Sequence, residues 1–228
     1  MAEVIDSVLM SAKIFCGLLF LIVILFLPAN TIFWPEAWFY IMLQTSISYS
    51  IILWLRNNNP ELLKERFSFK KPTKIWDMAI WIMFIIFFII LCVTASLDAN
   101  RYHWTKVPLL IQSMGFAGII FWGFIHFSVL KANKYAYLIV EVCINRGQKV
   151  VKEGPYHVIR HPMYIGFIIF FISLPLALGS FYALTPGILV AVAFIIRTHL
   201  EDKVLQEELP GYKTYSQEVK YRLLPGIW

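Results

Sequence analysis

The sequence predicts an all-α fold, a polytopic transmembrane helical bundle of about six spans, and three observations carry that expectation. Hydrophobic residues make up 59% of the 228 residues and charged ones only 15%, against roughly 25% charged in an average soluble domain. Long uncharged runs recur, several of them near or above the roughly 20 residues that cross a bilayer. The basic residues, finally, crowd into alternate connections between those runs.

The runs follow in order. Ile14 to Ala29 is the first. Glu3 and Asp6 precede Lys13, and the stretch ends in Leu27-Pro28-Ala29-Asn30 without a small-residue cleavage site, so it is expected to stay as a helix rather than serve as a signal peptide. Trp38 to Leu55 is the second, and Ile75 to Leu97 the third, with Asp77 its only charge. Val107 to Leu130 is the fourth. Met163 to Leu178 and Phe181 to Ile196 are the fifth and sixth, separated by Gly179-Ser180 and so expected to form a tight hairpin. A single domain, 1–228, is expected, with four spans in 1–130 and the functional part in 131–228.

Eighteen of the 20 Lys and Arg residues lie near the amino end, in the second and fourth connections, or near the carboxyl end. Only Arg101 and Lys106 lie in the others. The positive-inside rule then predicts that both termini and the two long basic loops are cytoplasmic, in the endoplasmic reticulum of a eukaryote or the cell membrane of a prokaryote. This orienting role accounts for the net charge of +6 without a nucleic-acid partner. Trp34, Trp38, Tyr102 and Trp104 are expected to form an aromatic belt at the opposite face. Cys16, Cys92 and Cys143 are odd in number, and two fall within spans, so neither a disulfide framework nor a metal site is suggested. Asn57 to Lys74 reads as a short amphipathic helix along the membrane surface.

The polar stretch GPYHVIRHPMYIGF, Gly154 to Phe167, opens the fifth run. A residue before proline avoids helical angles, so His161 is expected to be extended. Pro162 suits the first helical position. A helix starting there leaves first-turn N–H groups, including those of Met163 and Tyr164, as a place for an anion. Arg160, His161, Tyr156 and Tyr164 surround it. On these residues alone a carboxylate-bearing ligand site and a plain membrane anchor stand equally. The sixth run ends in Arg197-Thr198-His199-Leu200-Glu201-Asp202, where Arg197 and Glu201 share a helix face. An Arg before a Glu is the poorer order for helix stability, so either these residues snorkel to the headgroups or they serve a site. The hairpin would bring them beside His161 and Tyr164.

Taken in order, Arg146-Gly147-Gln148-Lys149-Val150-Val151, Gly154-Pro155-Tyr156, Arg160-His161-Pro162-Met163-Tyr164, Arg197 with Glu201-Asp202 and Leu205, Gly211 to Tyr215, and Tyr221 to Gly226 resemble the isoprenylcysteine carboxyl methyltransferase family. These integral-membrane enzymes are distantly similar to phospholipid methyltransferases. Weaker similarity reaches Asn59 to Arg66. The resemblance implies S-adenosylmethionine as cofactor, held by Gln148, Lys149, Val150, Val151 and Tyr156 around the adenine and ribose. His161, Pro162, Met163 and Tyr164 would hold its methionine part, and Glu201 another polar part. Arg197 would face the methyl acceptor, making Arg197 and Glu201 the implied catalytic pair. Where the family usually carries two glutamates, this chain has Glu201-Asp202.

The resemblance further implies a lipid-tailed small-molecule or prenylated peptide or protein substrate, with its tail between the spans and membrane lipids as neighbours. A carboxylate acceptor has a free pKa of about 3.5 and needs no base at neutral pH, so alignment becomes the main task. The amine of a phospholipid headgroup is the alternative acceptor and would need Glu201 or His161 as a base. A sterol-reductase-like enzyme using NADPH is a third possibility, disfavoured by the short chain. The oligomeric state is not legible.

Overall fold

The computed structural model describes residues 2–68, 72, 74–137, 139–140 and 147–228, with side chains from Leu9 onward. Lys70, Lys71, Glu141, Cys143 and Arg146 lie outside these residues. Helix α1 spans Ala2–Ala29, α2 Pro35–Asn58, α3 Pro60–Phe67, α4 Ile75–Ser96, α5 Leu109–Ala132, α6 Pro162–Ala177, α7 Leu184–Glu208 and α8 Tyr212–Glu218. No strand is present among the described residues.

Proline and short polar residues set the helix starts. Pro35, Pro60 and Pro162 each occupy the first turn of their helix, where the missing N–H is no loss. Asn59 caps α3 by accepting from the Leu62 N–H at 3.1 Å. Helix α4 passes into a wider π-helical turn, Leu97–Tyr102. Gly179 and Gly211, both at φ +84°, make the turns after α6 and before α8, a left-handed geometry that glycine enters without a Cβ penalty.

Among the described residues five helices are long and apolar enough to cross a membrane: Leu9–Ala29, Pro35–Asn58, Ile75–Tyr102, Leu109–Ala132 and Leu184–Glu208. The fifth expected span is the shorter α6, 16 residues or about 24 Å at the α-helical rise, against a hydrocarbon core of about 30 Å. Two further expectations are corrected. The α6–α7 connection is Leu178 to Ala183 rather than a two-residue turn, because backbone bonds from the N–H groups of Leu178, Gly179, Ser180 and Leu184, with the Ser180 hydroxyl, build a longer corner. Trp34 is 2% exposed and packs on Phe26, so it belongs to the core, whereas Trp38, Tyr102 and Trp104 are exposed.

Both ends of the bundle are fixed by polar contacts. At one end the buried Asp98 carboxylate accepts from the Thr105 N–H and hydroxyl, both at 2.7 Å, and from Ser180 at 2.6 Å. That ties the end of α4 to the α6–α7 corner. At the other end Lys13 donates to the Phe67 carbonyl at 2.8 Å, and Lys74 pairs with Glu208 at 2.7 Å.

Between the ends, close approach of α5, α6 and α7 is set by glycines. A Cβ on Gly115 would stand 2.5 Å from the Ala177 nitrogen and 2.8 Å from the Ser173 carbonyl oxygen. One on Gly187 would strike the Phe171 carbonyl oxygen. Backbone obstacles do not rotate away, so Gly187→Val is expected to destabilise the bundle by about 1–3 kcal/mol through overpacking. Gly17→Val, with nothing within 4 Å, should have little effect; thermal unfolding of both variants in detergent checks the difference.

Candidate active site

The site forms where the start of α6 meets the last turns of α7. His161 takes φ −125° and ψ 60°, the non-helical conformation that Pro162 imposes. The turn closes tightly: the Tyr164 N–H donates to the His161 carbonyl at 3.1 Å. Tyr164 is therefore not one of the free backbone donors expected at this helix start.

A second strand of chain secures the same place. The Arg160 N–H donates to the Tyr221 carbonyl at 3.0 Å, and the His161 N–H to that of Arg222 at 2.9 Å. The Arg160 guanidinium reaches the Ser216 and Val219 carbonyls at 3.1 and 3.0 Å, where the negative end of α8 favours a cation.

Asp202 gathers these pieces. Its carboxylate is fully buried and pairs with Arg160 Nε at 2.9 Å and Arg222 Nε at 2.9 Å. It also accepts from Gln206 at 2.8 Å and the Tyr212 hydroxyl at 3.0 Å, and meets His161 Nε2 at 3.3 Å. Burial, and then the Asp202 charge beside it, pushes the Tyr212 phenol well up from its ordinary value. Glu201, one residue earlier, points the other way and binds the Tyr164 hydroxyl. The two neighbouring acids thus divide their work, Asp202 into the protein and Glu201 into a cavity.

That cavity, about 780 Å³, is lined by Gln148, Lys149, Val150, Val151, Tyr156, His161, Pro162, Met163, Tyr164 and Glu201. All ten residues singled out for the cofactor therefore line one pocket. Its wall is pinned from outside. Tyr156 accepts from the Asn133 amide at 3.0 Å, and Tyr215 donates to the Tyr156 carbonyl at 2.7 Å. Burial pushes the Tyr156 phenol up to about 12, so it stays a neutral donor. Arg66 donates to the Ala136 carbonyl at 2.7 Å, and Asp77 accepts from the Val140 N–H at 2.9 Å; Ala136 and Val140 both line the pocket.

Arg197 lies outside this pocket. It pairs with Asp77 at 2.9 Å, with its guanidinium 5.1 Å from the Trp81 ring and 5.4 Å from that of Tyr164. It lines a separate apolar groove of about 750 Å³ with Trp81, Phe84, Phe88, Phe167 and Phe194. Phe194 stacks on Phe84 at 4.2 Å and on Phe167 at 5.0 Å. Met163 lines both cavities, and Tyr164 touches both Glu201 and Arg197.

The residues missed from sequence are Asp77, Asp202, Tyr212 and Arg222. Asp77 carried a usable signal, because a lone ionisable residue in an apolar span is functional or paired by default. Asp202 did not, since adjacent acids at a helix end look alike. Removing one member of a buried charge cluster leaves the others uncompensated, at about 3–5 kcal/mol. Asp202→Ala should therefore cost about that much stability. Glu201→Gln should leave the unfolding midpoint nearly unchanged, and chemical denaturation in detergent distinguishes the two.

The model of the family described as phospholipid methyltransferase (PEMT) matches residues 110–210. No curated protein matches the chain. The matched stretch runs from α5 to the end of α7 and holds every site residue singled out from sequence, while α8, Tyr212 and Arg222 fall beyond it. The stretch from α5 through α7, which supplies most of the polar pocket and the Met163, Phe167, Phe194 and Arg197 side of the groove, is therefore similar to a family of membrane methyltransferases.

Proposed function

We propose that the chain is an S-adenosylmethionine-dependent methyltransferase acting on the carboxylate of a lipid-tailed acceptor, such as a prenylated cysteine. The observation that carries this reading is the pairing of a polar pocket and an apolar groove across one shared residue, Met163. The pocket offers what the cofactor needs: the Glu201 carboxylate for a cationic or hydroxyl group, aromatic rings for a base, and the first-turn N–H of Met163 for a carboxylate. When bound, the cofactor supplies a methyl group already activated on a sulfonium. The chain then has to bind, align and exclude water, and alignment alone contributes up to roughly 7–11 kcal/mol.

Each residue has a share in that task. Tyr164, stacked on His161 at an interplanar angle of 8°, lines the pocket and carries the Arg197 guanidinium over its ring. Stacked Phe84, Phe167 and Phe194 give an apolar bed for a hydrocarbon tail. Arg197 is the sole charged residue lining the groove among the described residues, and a guanidinium orients a carboxylate by paired hydrogen bonds. The positive-inside rule puts the lysine-rich end, and with it the polar pocket, in the cytoplasm, so cofactor and tail would arrive from different phases.

A second reading, transfer to the amine of a phospholipid headgroup, is favoured by the family match and by Asp77, which already balances the charge of Arg197. Labelled cofactor over a panel of prenylated thiol acids and phospholipids separates the two. Base-labile label on the acids supports the first reading, and base-resistant label on the lipid replaces it with the second. No transfer to any lipid-tailed acceptor overturns both.

Two variant sets test the roles. Glu201→Gln should weaken S-adenosylhomocysteine binding by about 10- to 100-fold, the equivalent of a charged hydrogen bond worth roughly 1.5–3 kcal/mol. The double variant Asp77→Asn with Arg197→Gln keeps the pair neutral and keeps an acceptor for the Val140 N–H. It should raise the KM for an acidic acceptor by about 10-fold or more while leaving cofactor affinity in place; kinetics and calorimetry read each separately.

A further inference from the structure

A third cavity lies beside the cofactor pocket and takes no part in the chemistry above. It is about 1300 Å³ and sits between the final turns of α2 and α5, lined by Trp54, Asn58, Asn59, Leu130, Lys131, Lys134 and Lys149, with Tyr135, Val150 and Val151 on the shared wall. Among the described residues three cations line it and no acid does. None of the three lysines is ion-paired with a described residue; Lys134 is held over the Tyr135 ring at 5.3 Å. Lys131 and Lys134 are exposed.

The polarity is graded along the helices. Trp54 and Leu130 supply an apolar floor within the spans, Trp54 resting edge-on against Phe127 at 5.3 Å. The lysines and asparagines occupy the rim, at and beyond the last turns. A half-buried tryptophan below a ring of lysines is how a protein meets the headgroup layer of a bilayer. A soluble anion would use only the rim, and an acidic peptide would have no use for a floor at membrane depth. An amphiphile with one negative headgroup uses both.

We propose that this cavity is a binding site for an anionic phospholipid, distinct from the acceptor groove, with the phosphate among Lys131, Lys134 and Lys149 and the upper acyl chain on Trp54 and Leu130. The proposal is independent of the methyltransferase reading. Its interest for the site is positional: Lys149, Val150 and Val151 face this cavity on one side and the cofactor pocket on the other. A lipid held there would brace the wall of that pocket.

The test uses the full chain in detergent, loaded from mixed vesicles of phosphatidylcholine and phosphatidylglycerol, with retained lipid read by native mass spectrometry. The wild type should keep phosphatidylglycerol in preference to phosphatidylcholine. Lys131→Gln with Lys134→Gln should lose roughly 25-fold of that preference, about fivefold for each basic residue near an anionic headgroup. The same variant should still bind S-adenosylhomocysteine, which shows that it is folded. The exposed pair Lys203→Gln with Lys213→Gln is the control and should leave the preference intact. Equal retention of the two lipids by the wild type, or unchanged preference in the Lys131/Lys134 variant, would overturn the proposal. So would an equal loss in the control pair, or displacement of the lipid by excess glycerol 3-phosphate.

Discussion

A carboxylate taken out of water must find cations and donors in the protein or cost several kcal/mol, and the junction of α6, α7 and the carboxyl-terminal segment is organised around that requirement. Asp202 satisfies it with Arg160, Arg222, His161, Tyr212 and Gln206. These partners come from five places in the chain: the loop before α6, the turn that starts it, α7 itself, α8 and the segment beyond it. Apart from the adjacent Arg160 and His161 and the nearby Gln206 and Tyr212, they are far apart in sequence. Asp98 does the same at the far end of the bundle with neutral donors, and Asp77 does it between α4 and α7 with Arg197. Apolar surface gives little reason for one helix to prefer another in lipid, so these buried acids specify which helix ends meet.

From that constraint the two cavities follow. With the α6 start held against α7, Glu201 is turned away from Asp202 and toward the polar side. One turn earlier, Arg197 is turned toward the aromatic groove. The two side chains stay one helical turn apart on one helix yet face different media, and Tyr164 reaches both. A pocket that a water-soluble ligand can enter and a groove that a hydrocarbon chain can enter then share a wall one residue thick at Met163. The Val140 N–H on Asp77 links the loop around the pocket to the same ion pair that edges the groove.

Much of this was legible beforehand. The apolar runs bound α2, α4, α5 and α6 closely, since bilayer spans demand them, while α1 begins well before its run and α7 continues well past its own; Pro162 marks the start of α6 because proline tolerates little else. The ten pocket residues fall together because the motif around Tyr156 and His161-Pro162-Met163-Tyr164 is local and α7 returns to it. What was not legible depended on long-range pairing. Asp77 stands out in its oily run, but nothing local names its partner, Arg197, 120 residues later. Asp202 reads as the lesser of two neighbouring acids. The tail Tyr221-Arg222 looks like a surface turn, and only the fold makes it the segment whose carbonyls hold Arg160 and His161. Trp34 fits an aromatic belt by position, but its neighbour Phe26 draws it inward.

The most direct test of the shared wall is a single cysteine at Met163, introduced as Met163→Cys with Cys16, Cys92 and Cys143 replaced by serine. The rate of its modification by a water-soluble thiol reagent is then followed in vesicles. Protection by S-adenosylhomocysteine alone, and separately by a prenylated thiol acid alone, is the result this structure predicts. Protection by neither ligand, or by only one of them, would contradict the meeting of cofactor pocket and acceptor groove at this residue.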